Sequence, residues 1–341
     1  MNLRIVSRWL LSAMVLLSLS CVSAEQETAV ETPYGEVSLP FELHQVPGVP
    51  VYYVLGLSGV PDSVNEGHTS NAGFVVTDEG VVVFDALGTP ALGYRLLQRI
   101  REVTDQPVHT VVLSHYHADH IYGLQAFKEH GGEPTILAQR GVLGYVGGTS
   151  ATQGEDAERR LAQRREALFP WVDESTYVVA PDRVFDDREA FELGGIHFEL
   201  RNLGPAHAPG DVVMLVEDHQ VLFGGDVIFG GRVPFLDSPE TDIDQWIEGL
   251  EYIAGMQDRV RYVVPGHGDL SDDAQQAVAA TRDYIVYVRD TMAEAVRDLI
   301  PFDEAYENTD WSRYEDLPAF NASNRGNADR IYLGEEARFF R

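Results

Sequence analysis

The sequence predicts an α/β protein made of two β-rich halves with helices outside and loops gathered along one edge. Three observations carry this. Apolar runs of strand length alternate with stretches whose apolar residues recur at helical spacing. The second half opens with β-rich sequence, at 191–204 and 211–226. Clustered histidines and aspartates fall where predicted strands end in glycine-containing turns, the place where a rigid scaffold presents function.

Taken in order, residues 52–59 read as a strand, and 72–88 as two apolar strands around an Asp-Glu-Gly turn. Thr89 and Pro90 form an N-cap and first helical residue, followed by Leu92, Leu96, Ile100 and Val103 at helical spacing. Residues 109–115 are a short buried strand, 124–132 a helix stopped by glycine, 135–139 a strand and 156–169 a charged helix. After the β-rich stretch come a helix from Thr241, a strand at 262–265 and one long helix over 272–299. The tail from Pro301 is aromatic, polar and irregular in pattern.

The chain has 341 residues, enough for a substantial core. Its formal net charge is −29, and Lys128 is its single lysine. So acidic a surface repels phosphate backbones and anionic membranes, which sets nucleic-acid binding aside. At the N-terminus, Arg4 and Arg8 precede an apolar run at 9–20, and Val22 and Ala24 are small residues placed for cleavage before Glu25. The expected organisation is a signal peptide over 1–24, a lead-in over 25–50, the main domain over 51–299 and a tail over 300–341 that packs on it. Cleavage would give a periplasmic or secreted protein with no integral membrane segment in the mature chain. Lipid attachment at Cys21 is the alternative, although the preceding Ser18-Leu19-Ser20 is a poor match to a lipobox. Cys21 is the sole cysteine, so a metal site in the mature chain must be made of histidine and carboxylate.

The stretch SHYHADHIYG (114–123) crowds His115, His117, Asp119 and His120 together. Histidines at i and i+2 on a loop after a strand can enter one pocket, while the aspartate and third histidine turn towards a neighbouring point. That is enough for two metal positions side by side. Zinc takes at least three protein ligands, so others must come from elsewhere. His207 in GPAHAPGD, Asp226 in LFGGDVIF and His267 in VVPGHGD are the candidates. His44, His109, His130, His197 and His219 read as ordinary core or surface histidines. His68, on the loop before the first motif strand, is a candidate for the pocket mouth and for contact with substrate. Arg159, Arg160, Arg164 and Arg165 stand beside acidic residues and read as a solvated helix face. The stretch LFPWVDE (168–174) reads as packing.

In this order, and preceded by VVVFDAL, the motifs HYHADH, GPAHAPGD, FGGD and PGHG resemble the motif set of the metallo-β-lactamase superfamily over residues 50–270. The resemblance implies an αββα sandwich, here with a C-terminal helical extension, and a dinuclear zinc site at the sandwich edge. By that resemblance His115, His117 and His207 hold the first metal and Asp119, His120 and His267 the second. Asp226 bridges them, and Asp85 lies beneath the site, holding the histidine loop without binding metal. Asp226 stands where the common true β-lactamases carry cysteine, which points instead to the glyoxalase-II-type and other non-lactamase hydrolases. GHTSNAGFVVTDEGVVVFDALG and SHYHADHIYGLQAF resemble the exported SoxH-like subgroup, which accompanies sulfur oxidation or quinoprotein systems. The implied activity is hydrolysis of an ester, thioester or related acyl bond in a small molecule by a metal-bridging hydroxide that Asp119 orients. One iron on the same ligands, oxidising sulfur compounds, is the alternative, and a true β-lactamase is another. Against the latter, no arginine is placed by any motif to grip a β-lactam carboxylate.

Overall fold

The computed structural model describes residues 29–146, 151–236 and 238–340, so the expected leader and Cys21 lie outside the described residues. A small ribbon, β1 (Val30–Thr32) with β2 (Gly35–Val37), precedes two larger sheets. The first has seven strands in chain order: β3 (Leu43–Gln45), β4 (Val51–Val54), β5 (Ala72–Val76), β6 (Val81–Phe84), β7 (Val108–Val112), β8 (Thr135–Gln139) and β9 (Arg183–Phe185). The second has five: β10 (Arg188–Leu193), β11 (Ile196–Asn202), β12 (Val212–Val216), β13 (Val221–Phe229) and β14 (Tyr262–His267). Strands β6 to β9 run parallel, as do β13 and β14, and the other pairings are antiparallel.

Side-chain alternation with period two sorts these strands into layers. Val82 and Phe84 of β6 meet Met214, Val216, Val221 and Phe223 in the core between the sheets. Val81 and Val83 face outward, onto α1 (Pro90–Val103) and, through the same core, onto α3 (Leu124–His130), which follows the short α2 (Ala118–Ile121). Helices α4 (Leu143–Val146) and α5 (Ala151–Leu168) continue that side. On the opposite side Val213, Leu215, Leu222 and Val263 bury against α6 (Ile243–Ala254) and α7 (Ala274–Arg297). The result is helices, sheet, sheet, helices. Each fully buried Leu or Phe in such a layer contributes about 1.5–3 kcal/mol of transfer free energy.

The caps follow their residues. Thr89 Oγ1 accepts from Leu92 N at 3.2 Å at the start of α1, and Asp273 accepts from Gln275 N and Gln276 N at the start of α7. Two expectations need correction. The lead-in is not separate from the main domain, because β3 pairs with β4 and extends the first sheet. The tail is not irregular in structure: it forms α8 (Phe302–Asn308) and α9 (Phe320–Phe339), which with α7 make the expected C-terminal helical extension. Its buried face carries Ser323, Asn324 and Asn327 beside Ala328, Ile331 and Tyr332. The first half of that face is polar and its apolar part is confined to Ala328, Ile331 and Tyr332, too short a run to announce a helix of this length.

Candidate metal centre

The site lies at one edge of the sandwich. Asp85 follows β6, His115, His117, Asp119 and His120 follow β7, and His207 sits in the β11–β12 turn. Asp226 occupies the irregular second half of β13, and His267 ends β14. Donor atoms fall into two groups, His115, His117, His207 and Asp226, and Asp119, His120 and His267, with the atoms of each group within 4.8 Å of one another. Asp226 stands between the groups. Its Oδ2 is 3.5 Å from His207 Nε2 and 3.2 Å from His267 Nε2, and its Oδ1 is 3.1 Å from His120 Nε2. Gly225, at φ +48°, makes this approach feasible, since a Cβ there would meet Ser114 Cβ at 2.6 Å.

Outer hydrogen bonds fix which ring nitrogen faces inward. His120 Nδ1 donates to Asp85 Oδ2 at 2.8 Å, His207 Nδ1 to the Phe235 carbonyl at 2.9 Å and His267 Nδ1 to the Thr69 carbonyl at 2.7 Å. Asp85 also accepts from Ser114 N and Ser114 Oγ, both at 2.7 Å, so the hydroxyl can accept from His115 Nδ1 at 2.9 Å. Four histidines therefore present Nε2, and His117 presents Nδ1, 2.8 Å from His207 Nε2. His115 Nε2, His120 Nε2 and Asp226 Oδ1 are buried without a hydrogen-bond partner. Orphaned atoms of this kind are costly unless a cation satisfies them, and the donor set fits metal ions.

The charges agree with that reading. Burial would raise Asp119, but His120 and His267 outweigh it and hold its pKa at about 2. Burial likewise opposes ionisation of Asp226, yet His267, His120 and His115 keep it well below the usual carboxylate range. Burial and the neighbouring His120 push His115 well below the ordinary histidine value. Thr69 Oγ1 donates to Asp119 Oδ2 at 3.1 Å, and Ser70 Oγ holds the Asp119 carbonyl.

These residues open into a pocket of about 500 Å³. His68 does not reach it. The side chain is 1% exposed, stacks on Phe41 with ring centroids 5.0 Å apart, and has neither ring nitrogen hydrogen-bonded. Burial alone pushes its pKa down to about 4. The arginine helix also departs from expectation. Arg159, Arg160 and Arg164 of α5 line the pocket, whereas Arg165 faces away and holds the Asp173 and Thr176 carbonyls. Arg232, absent from the sequence reading, lines the same pocket from the loop after β13. Asn71 was missed too: its amide bonds the Pro265 and Gly268 carbonyls at 2.9 and 2.8 Å, tying the first sheet to the His267 turn. Nothing in the spacing of Arg232 or Asn71 could have revealed either. The stretch at 168–174 does pack, with Leu168 and Val172 in the core.

The pattern of the metallo-beta-lactamase superfamily (Lactamase_B) matches residues 66–267. The chain is 26% identical over 259 residues to the linear primary-alkylsulfatase of Pseudomonas sp. (strain ATCC 19151), covering 67% of this chain and 48% of that protein. It is 27% identical over 184 residues to hydroxyacylglutathione hydrolase GloC of Haemophilus influenzae (strain ATCC 51907 / DSM 11121 / KW20 / Rd), covering 53% and 78%. In structure it is similar to the stereoselective inverting sec-alkylsulfatase Pisa1 from Pseudomonas sp., with a TM-score of 0.66, 18% identity and coverage of 86% of this chain and 50% of that one. The chain thus spans about half the length of the alkylsulfatases it matches.

Proposed function

The chain belongs to the metallo-β-lactamase superfamily, and from that premise we propose that it is an exported dinuclear zinc hydrolase of the SoxH-like kind, cleaving an ester, thioester or related acyl bond. The observation that carries this reading is the position of Asp226, whose two oxygens face histidines of both donor groups. His115, His117 and His207 would hold one ion, Asp119, His120 and His267 the other, and Asp226 would serve both. The chemistry that bound zinc supplies is acidification of a water and polarisation of the acyl oxygen. The chain supplies orientation. Asp119, held by Thr69 Oγ1, would orient the attacking water and is placed to shuttle its proton. Asp85 and Ser114 keep His115 and His120 aimed. No serine or cysteine nucleophile is required.

The test combines metal quantitation on protein purified from the exported fraction with a screen of thioesters, carboxylic esters, alkyl sulfate esters and β-lactams. Two zincs per chain and turnover of an acyl ester or thioester are expected, with β-lactams poor because Asp226 stands where the common β-lactamases carry cysteine, not for want of an arginine in the pocket. A single iron, or turnover confined to sulfate esters, sinks the acyl-hydrolase reading. An intact Met1 by mass spectrometry sinks the expected cleavage before Glu25.

A further inference from the structure

Arginines ring the metal pocket of a protein whose formal net charge is −29. On one side Arg160 is wedged against aromatic rings. Its guanidinium carbon lies 4.7 Å from the Tyr116 centroid and 5.1 Å from that of Tyr145, two rings stacked 3.8 Å apart. One helical turn on, Arg164 is close enough to Asp119 to help hold it ionised. Across the pocket Arg232 is 5% exposed, and its Nε is buried without a hydrogen-bond partner. Its Nη1 lies 3.1 Å from His267 Nδ1, but that nitrogen carries its proton towards the Thr69 carbonyl and has no lone pair to offer. Among the described residues, neither Arg164 nor Arg232 makes an ion pair with a carboxylate. Arg164 feels Asp119, and Arg232 feels Asp119 and Asp226, only from beyond ion-pair distance, and in so acidic a chain such cations gathered unpaired around one cavity mark what the cavity receives. A buried guanidinium is expensive to retain without an anion.

We propose that Arg160 and Arg164 on α5 and Arg232 opposite form an oxyanion-recognition mouth, so that the substrate bears a carboxylate or sulfo group apart from the bond that is cut. The planar fork of each guanidinium suits either oxyanion. The substrate class named here rests on the hydrolase reading, whereas the mouth itself does not.

Two ester pairs test it, the members of each differing by one anionic group and each rate taken relative to that ester's uncatalysed hydrolysis: 4-nitrophenyl butyrate against mono-4-nitrophenyl glutarate, and phenyl butyrate against 4-sulfophenyl butyrate. Calorimetric binding of inorganic sulfate to the metal-loaded protein gives a readout that needs no turnover. Wild type should favour at least one anionic ester by about tenfold or more in kcat/KM, the size of one charge-assisted hydrogen bond. Arg160→Gln/Arg164→Gln should cut that preference about tenfold through KM and weaken sulfate binding similarly, with metal content unchanged. Arg232→Gln, with its metal content measured alongside, should do the same from the buried side. Arg188→Gln, exposed on β10, is the control. The glutarate and sulfophenyl arms tell a carboxylate from a sulfo group. Ester turnover with no anion preference overturns the mouth and leaves the hydrolase standing. No ester turnover, with sulfate binding that the double variant weakens, upholds the mouth and removes the acyl-hydrolase reading. Sulfate binding absent or indifferent to all three arginines overturns the proposal.

Discussion

The floor of the metal pocket and its mouth hold their side chains differently. On the floor, Asp85 spends both oxygens on Ser114 and His120, and each of His115, His120, His207 and His267 has its outer nitrogen on a protein oxygen. What remains uncommitted points at the two ligand groups. At the mouth, Arg160 leans on tyrosine rings and reaches Tyr116 Oη at 3.3 Å, while Val60 and Pro61 line the opening from a loop. The floor is over-determined by strand ends from both sheets. The mouth rests on one helix and two loops, and of its arginines only Arg232 stands against a donor histidine, 3.1 Å from His267 Nδ1. Substitutions in the two regions should therefore separate metal retention from substrate choice.

The largest effect is expected on the floor. Asp226→Ala removes the one side chain that faces both groups, and the protein should fall from about two metals per chain towards one. Activity should drop at least about a hundredfold. Metal analysis beside the arginine double variant is the sharpest form of the comparison, since one should lose metal and the other keep it. Retention of both metals with most of the activity would make the bridging role of Asp226 wrong.

His68 is the exception that can break the comparison, because it is buried behind the floor with its ring uncommitted. Its folded pKa of about 4 lies below the unfolded value of 6.5. The unfolded chain therefore takes up the proton first, and stability falls as pH drops from about 6.5 towards 4. The loss attributable to this one group is about 3 kcal/mol. His68→Phe keeps the stacking on Phe41 and should flatten that stretch of the stability-pH curve by this amount, leaving other titrations common to both proteins. Denaturant melts at pH 7 and pH 4.5 measure it, and parallel curves would show that His68 is not buried neutral.

The smallest effect belongs to neither region. Lys128 Nζ lies 2.6 Å from Asp182, which also accepts from Ile136 N at the edge of β8. The pair is partly solvated, so Lys128→Ala should cost no more than about 1 kcal/mol in chemical denaturation. Metal content and turnover should not move.

The same division explains what could be read beforehand. Strands β5, β6, β12 and β13 announced themselves as apolar runs, because both of their faces are buried. The crowding of His115, His117, Asp119 and His120 was legible in the residues themselves, while the roles given to His207, Asp226 and His267 came from the resemblance of the motif set; the structure brings all seven side chains together. Arg160 and Arg164 were misread because a charged helix beside acidic residues looks solvated, and only the fold shows which face turns to a pocket. Arg232 lacked any pattern, since its role comes from a loop closing over His267. In α9 the inward residues of the first turns are serine and asparagine, with Ala328, Ile331 and Tyr332 only beyond them, so hydropathy gave little sign of a helix that packs on the core.

That helix reaches further than its place in the chain suggests. Asn327 donates to the Pro234 carbonyl at 2.7 Å and accepts from Leu236 N at 3.0 Å, while Arg330 holds the Ser238 carbonyl. Between those two grips lies Phe235, whose carbonyl orients His207. The aim of His207 therefore depends on Asn327 and Arg330, two side chains far along the chain that touch no donor atom themselves. A helix remote in sequence thus acts as the backstop of a histidine it never meets.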